Sequence, residues 1–408
     1  MKKKIALQRA KELKESIGDY LAVKDTIPTG FTQWEKIQEK QAKIRSLLGA
    51  TEANWRDWHW QIRNRIDQGE ILDRILGLSS SKLEEIELTG SKFRWGVVPY
   101  YLSLIDPDDV NDPILLQSVP TGQEYYDCGG EMDPMDEEYT SPAPAITRRY
   151  PDRLIINITN QCASYCRHCQ RRRNIGEVDQ QTSRSDLKAA IQYVADNKEI
   201  RDVLLTGGDA FMLSDETLDW ILTELEKIPH VEIKRLGTRA PVTLPYRVTE
   251  ELCSMLSRHL PLYVNTHFNH PLEITPDAQQ ACLALARSGM NLGNQAVLLK
   301  GINNDPLVMR KLNQELLRIM VRPYLLFHAK GVQGTNHFRT RVEEGIEIME
   351  KLRGYTSGLA IPTYIVNAPH GYGKTPMLPE YLVSMGKDKI FIRTWENRIM
   401  EYDDRLDE

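Results

Sequence analysis

From Arg149 onward the sequence alternates short β-branched runs with helical segments six times, and no other feature limits the fold as much. Strands are predicted near Leu154 to Thr159, Val203 to Thr206, Lys234 to Thr238, Leu262 to His267, Gly293 to Leu299 and Tyr324 to His328. Helices are predicted at about 184–197, 214–227, 249–258, 275–288, 306–320 and 341–353. Strands joined through crossover helices run parallel, because only a short turn sends the next strand straight back. Six such units make an α/β fold, either a partial barrel or an open doubly wound sheet, and periodicity does not choose between them. In both, reactive groups gather at the C-terminal ends of the strands, where Thr206 to Asp209, His267 and His328 fall.

The rest of the 408 residues reads differently. Residues 1–105 carry apolar positions at helical spacing, as in Trp34, Ile37, Ile44, Leu47 and Leu48, and form a helical N-terminal region. Trp55, Trp58 and Trp60 are expected to pack in a core and not to stack on bases, since Lys plus Arg is 52 against 57 Asp plus Glu. A net charge of −5 gives no bulk positive field for nucleic acid. Between Asp106 and Tyr139 stand eleven acidic residues and no Lys or Arg, with several Pro and Gly. Residues 106–148 are therefore expected to be a connection without a packed element, followed by the α/β unit at 149–355 and a C-terminal segment at 356–408. Lys2, Lys3 and Lys4 precede only Ile5, Ala6 and Leu7, too short an apolar run for a signal peptide, and no stretch is long enough to span a bilayer. A cytoplasmic protein is expected, with no membrane and no nucleic-acid partner.

Three of the six cysteines crowd into Cys162-Ala-Ser-Tyr-Cys166-Arg-His-Cys169, directly after a predicted strand. Three thiolates can each bind one iron of a [4Fe-4S] cluster and leave the fourth iron open, whereas a closed zinc site needs a fourth ligand, which His168 could supply. The spacing resembles the radical S-adenosylmethionine (SAM) superfamily, whose members bind SAM on the open iron. The resemblance implies a partial (β/α)6 barrel. It places Thr206, Gly207, Gly208 and Asp209 at the turn that meets the SAM amino group, with His168 also at the SAM site.

A second motif, Pro369-His370-Gly371-Tyr372-Gly373-Lys374-Thr375-Pro376, sets a lysine in a glycine-punctuated loop. Such a lysine can form a Schiff base with an aldehyde cofactor, although a solvated turn or a phosphate loop would look alike. It stands in company with Arg149-Tyr150-Pro-Asp-Arg153, Cys169-Gln-Arg171-Arg172-Arg173, Asn265-Thr-His267-Phe-Asn-His270, Gly293-Asn294-Gln295 and His337-Phe-Arg-Thr340. In this order the chain resembles the lysine 2,3-aminomutase family over about residues 30 to 395, a family of radical SAM isomerases that also use pyridoxal 5′-phosphate (PLP). The resemblance implies that Lys374 carries PLP. It also implies that Arg149, Tyr150 and Arg153 hold the phosphate, Arg171 grips the substrate α-carboxylate, and His267 and Gln295 line the SAM site. Arg172 or Arg173 is expected on a solvated basic face. A one-electron reductant such as flavodoxin or ferredoxin and a homo-oligomer are further implications.

Two departures concern the substrate. Lysine-acting members carry aspartates seven residues before the His-Phe-Arg-Thr motif and seven before the PLP lysine; here Lys330 and Asn367 stand there. Two cations about 4 Å apart repel by ~4 kcal/mol at an effective dielectric near 20, so lysine is disfavoured. A distal carboxylate would instead be attracted, which resembles the glutamate-acting branch and implies conversion of L-glutamate to β-glutamate (3-aminopentanedioate). A lysine-acting enzyme, and a non-catalytic iron–sulfur electron-transfer module, are the alternatives. No cysteine follows Cys282, and Asp305 stands where the lysine-acting members place a mid-chain zinc ligand, so no zinc is expected. Cys253 and Cys282 are expected to be buried small hydrophobes.

Overall fold

The structure is a computed structural model that describes residues 1–405. Its centre is a nine-stranded sheet in sequential order: β1 (Ile146–Thr147), β2 (Arg153–Thr159), β3 (Asp202–Gly207), β4 (Ile233–Gly237), β5 (Leu262–Thr266), β6 (Asn291–Leu298), β7 (Arg322–His328), β8 (Thr363–Ala368) and β9 (Gly373–Pro376). β2 to β8 are parallel, while β1 and β9 pair antiparallel with their neighbours. A doubly wound sheet would reverse its strand order at a switch point. Here the order never reverses, so the helices all cross one face and the sheet curls as an open partial barrel.

Six βα units are present, with helices Arg184–Asp196, Asp215–Glu226, Glu250–Ser257, Pro276–Arg287, Pro306–Arg318 and Val342–Leu352. Their starts are written locally. Ser183, Ser214, Thr249 and Thr275 each accept a hydrogen bond from the third backbone N–H beyond them, satisfying donors that a helix leaves orphaned. Asp305 does the same for Leu307 and Val308, which gives it a structural role without a metal. Apolar faces of these helices meet the alternate strand residues Leu205, Leu236, Val264 and Leu326, all without exposed surface.

Three findings modify the sequence reading. A seventh parallel strand, β8, follows the sixth unit, and β9 turns back beside it, so the segment expected to begin a separate extension at 356 continues the same sheet. The acidic stretch is not a loose connection. It forms helices Pro113–Ser118 and Gly122–Tyr126, and Asp112, Gln117 and Glu124 are buried. Arg172 and Arg173 are not solvated: Arg172 bonds Glu124 at 2.8 Å, and Arg173 reaches Asp133 at 3.0 Å and Glu137 at 3.4 Å. Charge density in that stretch signals inward ion pairing, which composition alone cannot separate from solvation.

The N-terminal region is helical and shares the central core through Ile37, Ile44, Trp55 and Leu72. Trp55 is buried and its indole donates to the Tyr246 hydroxyl at 3.1 Å, while Trp58 and Trp60 pack partly buried against the same core. Cys253 and Cys282 are buried on their helices. After β9 an antiparallel meander, β10 (Leu382–Met385), β11 (Lys389–Arg393) and β12 (Ile399–Asp403), stands apart from the main sheet. Among the described residues no helix is long and apolar enough to cross a membrane.

Candidate active site

Every candidate site residue named from the sequence lines one cavity of about 570 Å³ within the curl of the sheet, which runs from the C-terminal ends of the parallel strands back to Arg153 and Asp202 at the starts of β2 and β3. At one end lie the three cysteines, on the loop leaving β2. The Arg65 guanidinium holds that loop by donating to the Cys162 carbonyl at 2.8 Å. Burial raises the Cys162 thiol well above its usual pKa, and Asp209 and the other two cysteines raise it further. Cys169 is likewise pushed up, by burial and then by Cys166. Thiols so placed ionise only against a bound cation, so the set fits an iron cluster. Among the described residues no three His, Cys, Asp or Glu side chains converge on a point that one ion would occupy. A cubane makes no such demand, since each thiolate meets a different iron.

Beside the cysteines the end of β3 passes very close to the end of β2. Gly207 has φ +121°, and Gly208 N–H donates to the Thr159 carbonyl at 2.5 Å. A Cβ on Gly208 would run into the Gln161 carbonyl and lie 2.6 Å from the Asn160 carbonyl carbon, so only glycine fits. Asp209 spends its carboxylate within the protein, accepting from Phe211 N at 2.9 Å, Thr238 Oγ1 at 2.6 Å and Arg239 N at 2.7 Å. Burial nevertheless holds its pKa above the ordinary carboxylate value. It therefore shapes the turn, whose wall includes Thr206 and both glycines. His168 is half-buried with its Nδ1 atom buried and unpartnered, and desolvation and then Arg239 push its pKa well down. Burial likewise lowers His267 to about 4, and its Nδ1 pairs with the Gln295 carbonyl at 3.1 Å. These rings are neutral. Together with the unpartnered Asn265 Nδ2 they leave polar atoms for a ligand with both charges and hydroxyls, as SAM has.

Lys374 stands at the opposite end, on β9, directly across the ladder from Asn367 on β8. Its backbone N–H donates to the Tyr150 hydroxyl at 2.9 Å, and Arg153 lies 3.9 Å over the Tyr150 ring. Burial lowers the Lys374 ammonium to about 8, with Arg235, Arg153 and Arg171 adding to it, which favours the neutral, nucleophilic amine. Asn367 Nδ2 is buried without a partner, as is Arg149 Nε. The half-buried Lys330 lines the cavity, and its ammonium donates to Gln170 Oε1, next to Arg171. Burial, then Arg171 and Arg149, bring it down to about 7. This end of the cavity has cationic donors for a phosphate and for carboxylates, and an amine for an aldehyde.

Two side chains were missed by the sequence reading. Arg239 is buried with Nη1 2.6 Å from Cys166 Sγ and Nη2 2.6 Å from Glu273. Burial works against its charge, but Cys166, Tyr101 and Glu273 outweigh it and hold its pKa well above normal. Glu137, in the acidic stretch, sits 2.5 Å from Arg149 and 3.4 Å from Arg171. Neither belongs to a periodic pattern or a motif; the acidic density around Glu137 was the only available signal.

A radical SAM superfamily profile matches residues 156–312, and a lysine-2,3-aminomutase profile matches residues 349–407. The chain is 56% identical to a glutamate 2,3-aminomutase of Clostridioides difficile over 98% of this chain and 95% of that one. It is 46% identical to the L-lysine 2,3-aminomutase of Clostridium subterminale, covering 87% and 86%, and 46% identical to that of Methanococcus maripaludis, covering 86% and 82%. The chain belongs to the lysine 2,3-aminomutase family. It is thus a radical SAM aminomutase, an isomerase, and the family's cofactors are a [4Fe-4S] cluster, SAM and PLP. The cysteines, the glycine turn and Lys374 all line one cavity, with thiols, close-approaching backbone and an amine whose chemistry suits those three groups.

Proposed function

We propose that this enzyme moves the amino group of L-glutamate from C2 to C3, giving β-glutamate. The observation that carries the reading is the wall facing the far end of a substrate anchored near Lys374. Lys330 brings a cation there, and Asn367 brings an amide donor with a free, buried N–H. A distal carboxylate satisfies both, whereas a distal ammonium would meet a like charge and leave the donor unpaired. The glutamate 2,3-aminomutase from C. difficile supports the same choice.

The residue roles follow from position. Cys162, Cys166 and Cys169 would hold the cluster, and Thr206, Gly207, Gly208, His168, His267 and Gln295 would surround SAM, with Asp209 fixing the turn. Arg149, Tyr150 and Arg153 would seat the PLP phosphate, and Lys374 would hold its aldehyde as a Schiff base. When bound, cluster and SAM together supply a carbon-centred radical, and PLP supplies the conjugated system that makes a nitrogen shift feasible. The chain's own work is orientation. Arg171 pairs with the α-carboxylate through parallel N–H donors, Lys330 and Asn367 fix the γ-carboxylate, and C3 is thereby turned toward the cysteine end. Lys374, its ammonium lowered by burial to about 8, would hold the cofactor's aldehyde between turnovers. The parallel strands keep the two ends at a fixed separation, and the cavity wall restrains water from a radical. An external one-electron donor of the flavodoxin or ferredoxin kind, a homo-oligomeric assembly and a cytoplasmic setting complete the proposal.

The test is product identification by NMR after incubating reduced enzyme, SAM and PLP with glutamate and lysine in parallel. The reading expects 3-aminopentanedioate from glutamate and negligible product from lysine. β-Lysine without β-glutamate would overturn the substrate assignment. Absence of product from both, with no borohydride-sensitive PLP absorbance, would favour an electron-transfer module.

A further inference from the structure

We propose that Glu137 is a positioning residue that holds Arg149 and Arg171 turned into the cavity, so that a single carboxylate aligns the phosphate seat with the substrate carboxylate seat. The inference rests on the proposed function for the names of the two seats. Glu137 is buried and does not itself line the cavity, while Arg149 and Arg171 do. It stands behind that wall as a counter-charge. Arg149 Nη2 donates to it at 2.5 Å, and Arg171 Nε and Arg173 Nη2 lie 3.4 Å away. Burial would push this carboxyl's pKa up, but Arg171, Arg149 and Lys330 hold it below normal, so it stays charged.

Among the described residues no other acid forms an ion pair with Arg149 or Arg171. Asp133 reaches only Arg173, at 3.0 Å, among these groups. Of the acids on the cavity wall, Asp209 is committed to the glycine turn and Asp202 pairs with Arg235 at 2.7 Å. Without Glu137 the guanidiniums of Arg149 and Arg171 would face each other and Lys330 across a half-dry wall, and each would lower its free energy by turning outward.

The backbone around Glu137 is tied to both loops that carry the far-end residues. Asp127 accepts from Gly334 N at 2.9 Å and from Asn336 Nδ2 at 2.8 Å, and Glu131 N donates to the Gly331 carbonyl at 2.9 Å, beside Lys330. On the other side Asp136 pairs with His370 at 2.8 Å, four residues before Lys374. Asp136 and His370 both adopt left-handed backbone, with φ of 48° and 57°. Two non-glycine residues strained together at one contact indicate that the contact is held in place by its surroundings. The strap thus fixes Glu137 relative to Lys330 and Lys374 at once.

The experiment uses the full chain carrying its cluster, as wild type, E137Q and E137D. PLP affinity is read by absorbance titration of PLP-depleted enzyme without any amino acid, and kcat and KM for glutamate are read separately. E137Q should weaken PLP and raise the glutamate KM by about tenfold or more each, with a smaller change in kcat and unaltered iron content. E137D should recover most of both losses, because charge is restored one methylene short. E137Q within about twofold of wild type in both affinities would overturn the proposal, as would equal damage in E137Q and E137D. If E137Q does not fold, E137D and E137N decide: affinities near wild type in E137D and about tenfold weaker in E137N, both with native far-UV circular dichroism, support the role, and equal affinities in the two refute it. PLP titration contains no amino acid, so it reads Glu137 even if the enzyme acts on lysine.

Discussion

Replacing Lys330 by methionine keeps the length and apolar stem of the side chain and removes only its charge. A unit pair 4 Å apart is worth about 4 kcal/mol at an effective dielectric near 20. That is an upper bound here, because Lys330 is only partly buried on an open cavity wall and its rotamers must be fixed. The charge-assisted hydrogen bond to a substrate carboxylate falls at roughly 1.5–3 kcal/mol, a loss of about ten- to 150-fold in kcat/KM. Initial rates of β-glutamate formation at several glutamate concentrations measure it, with iron content, SAM binding and PLP absorbance as controls. The loss should appear mainly in KM, because the interaction is present in the bound substrate as well as at the barrier. Removing the cation should also leave the poor activity on lysine no worse. If Lys330→Met kept glutamate kcat/KM within about twofold of wild type, the far-end argument would be wrong and another group would have to recognise the distal carboxylate.

Lys330 is brought to about 7 by burial and neighbouring arginines, so its charge is present below that pH and lost above it. Glutamate kcat/KM should therefore fall as pH rises through about 7, and Lys330→Arg, which stays protonated, should flatten that limb of the profile. Lys374→Ala should abolish turnover and the borohydride-sensitive PLP band while iron content stays near normal; full turnover in this variant would remove Lys374 from the chemistry. Gly208→Ala forces a methyl group against the Gln161 and Asn160 carbonyls. It should cost roughly 1–3 kcal/mol in urea unfolding and also weaken SAM binding, measured by calorimetry.

The barrel was readable because each of its parts has a local cause. Ser183, Ser214, Thr249 and Thr275 announce helix starts, and Leu154 to Thr159 or Leu262 to Thr266 carry the β-branched pattern of a strand covered on both sides. β9 had no such pattern: Gly373-Lys374-Thr375-Pro376 is short, has a glycine and a proline, and survives as a strand because it lies at the sheet edge and pairs with β8. The site followed the same division. Cysteine spacing and the Lys374 loop are contiguous motifs, so they were visible. Glu137 and Arg239 act through partners 12 to 138 positions away in sequence, and a lone charge gives no hint of which distant group it will meet. The acidic stretch misled for a related reason: Glu124 is neutralised by Arg167 and Arg172, residues that composition counts in another segment.

Because Asn367 and Lys374 are facing rungs of a two-strand ladder, the side chain proposed to read the far end of the ligand is held by backbone hydrogen bonds that do not depend on its identity. Exchanging it for another polar residue of similar size leaves the lysine where it was. A lineage built on this ladder is therefore free to change which amino acid it accepts through point substitutions at 330 and 367, without rebuilding the anchor that the reaction needs.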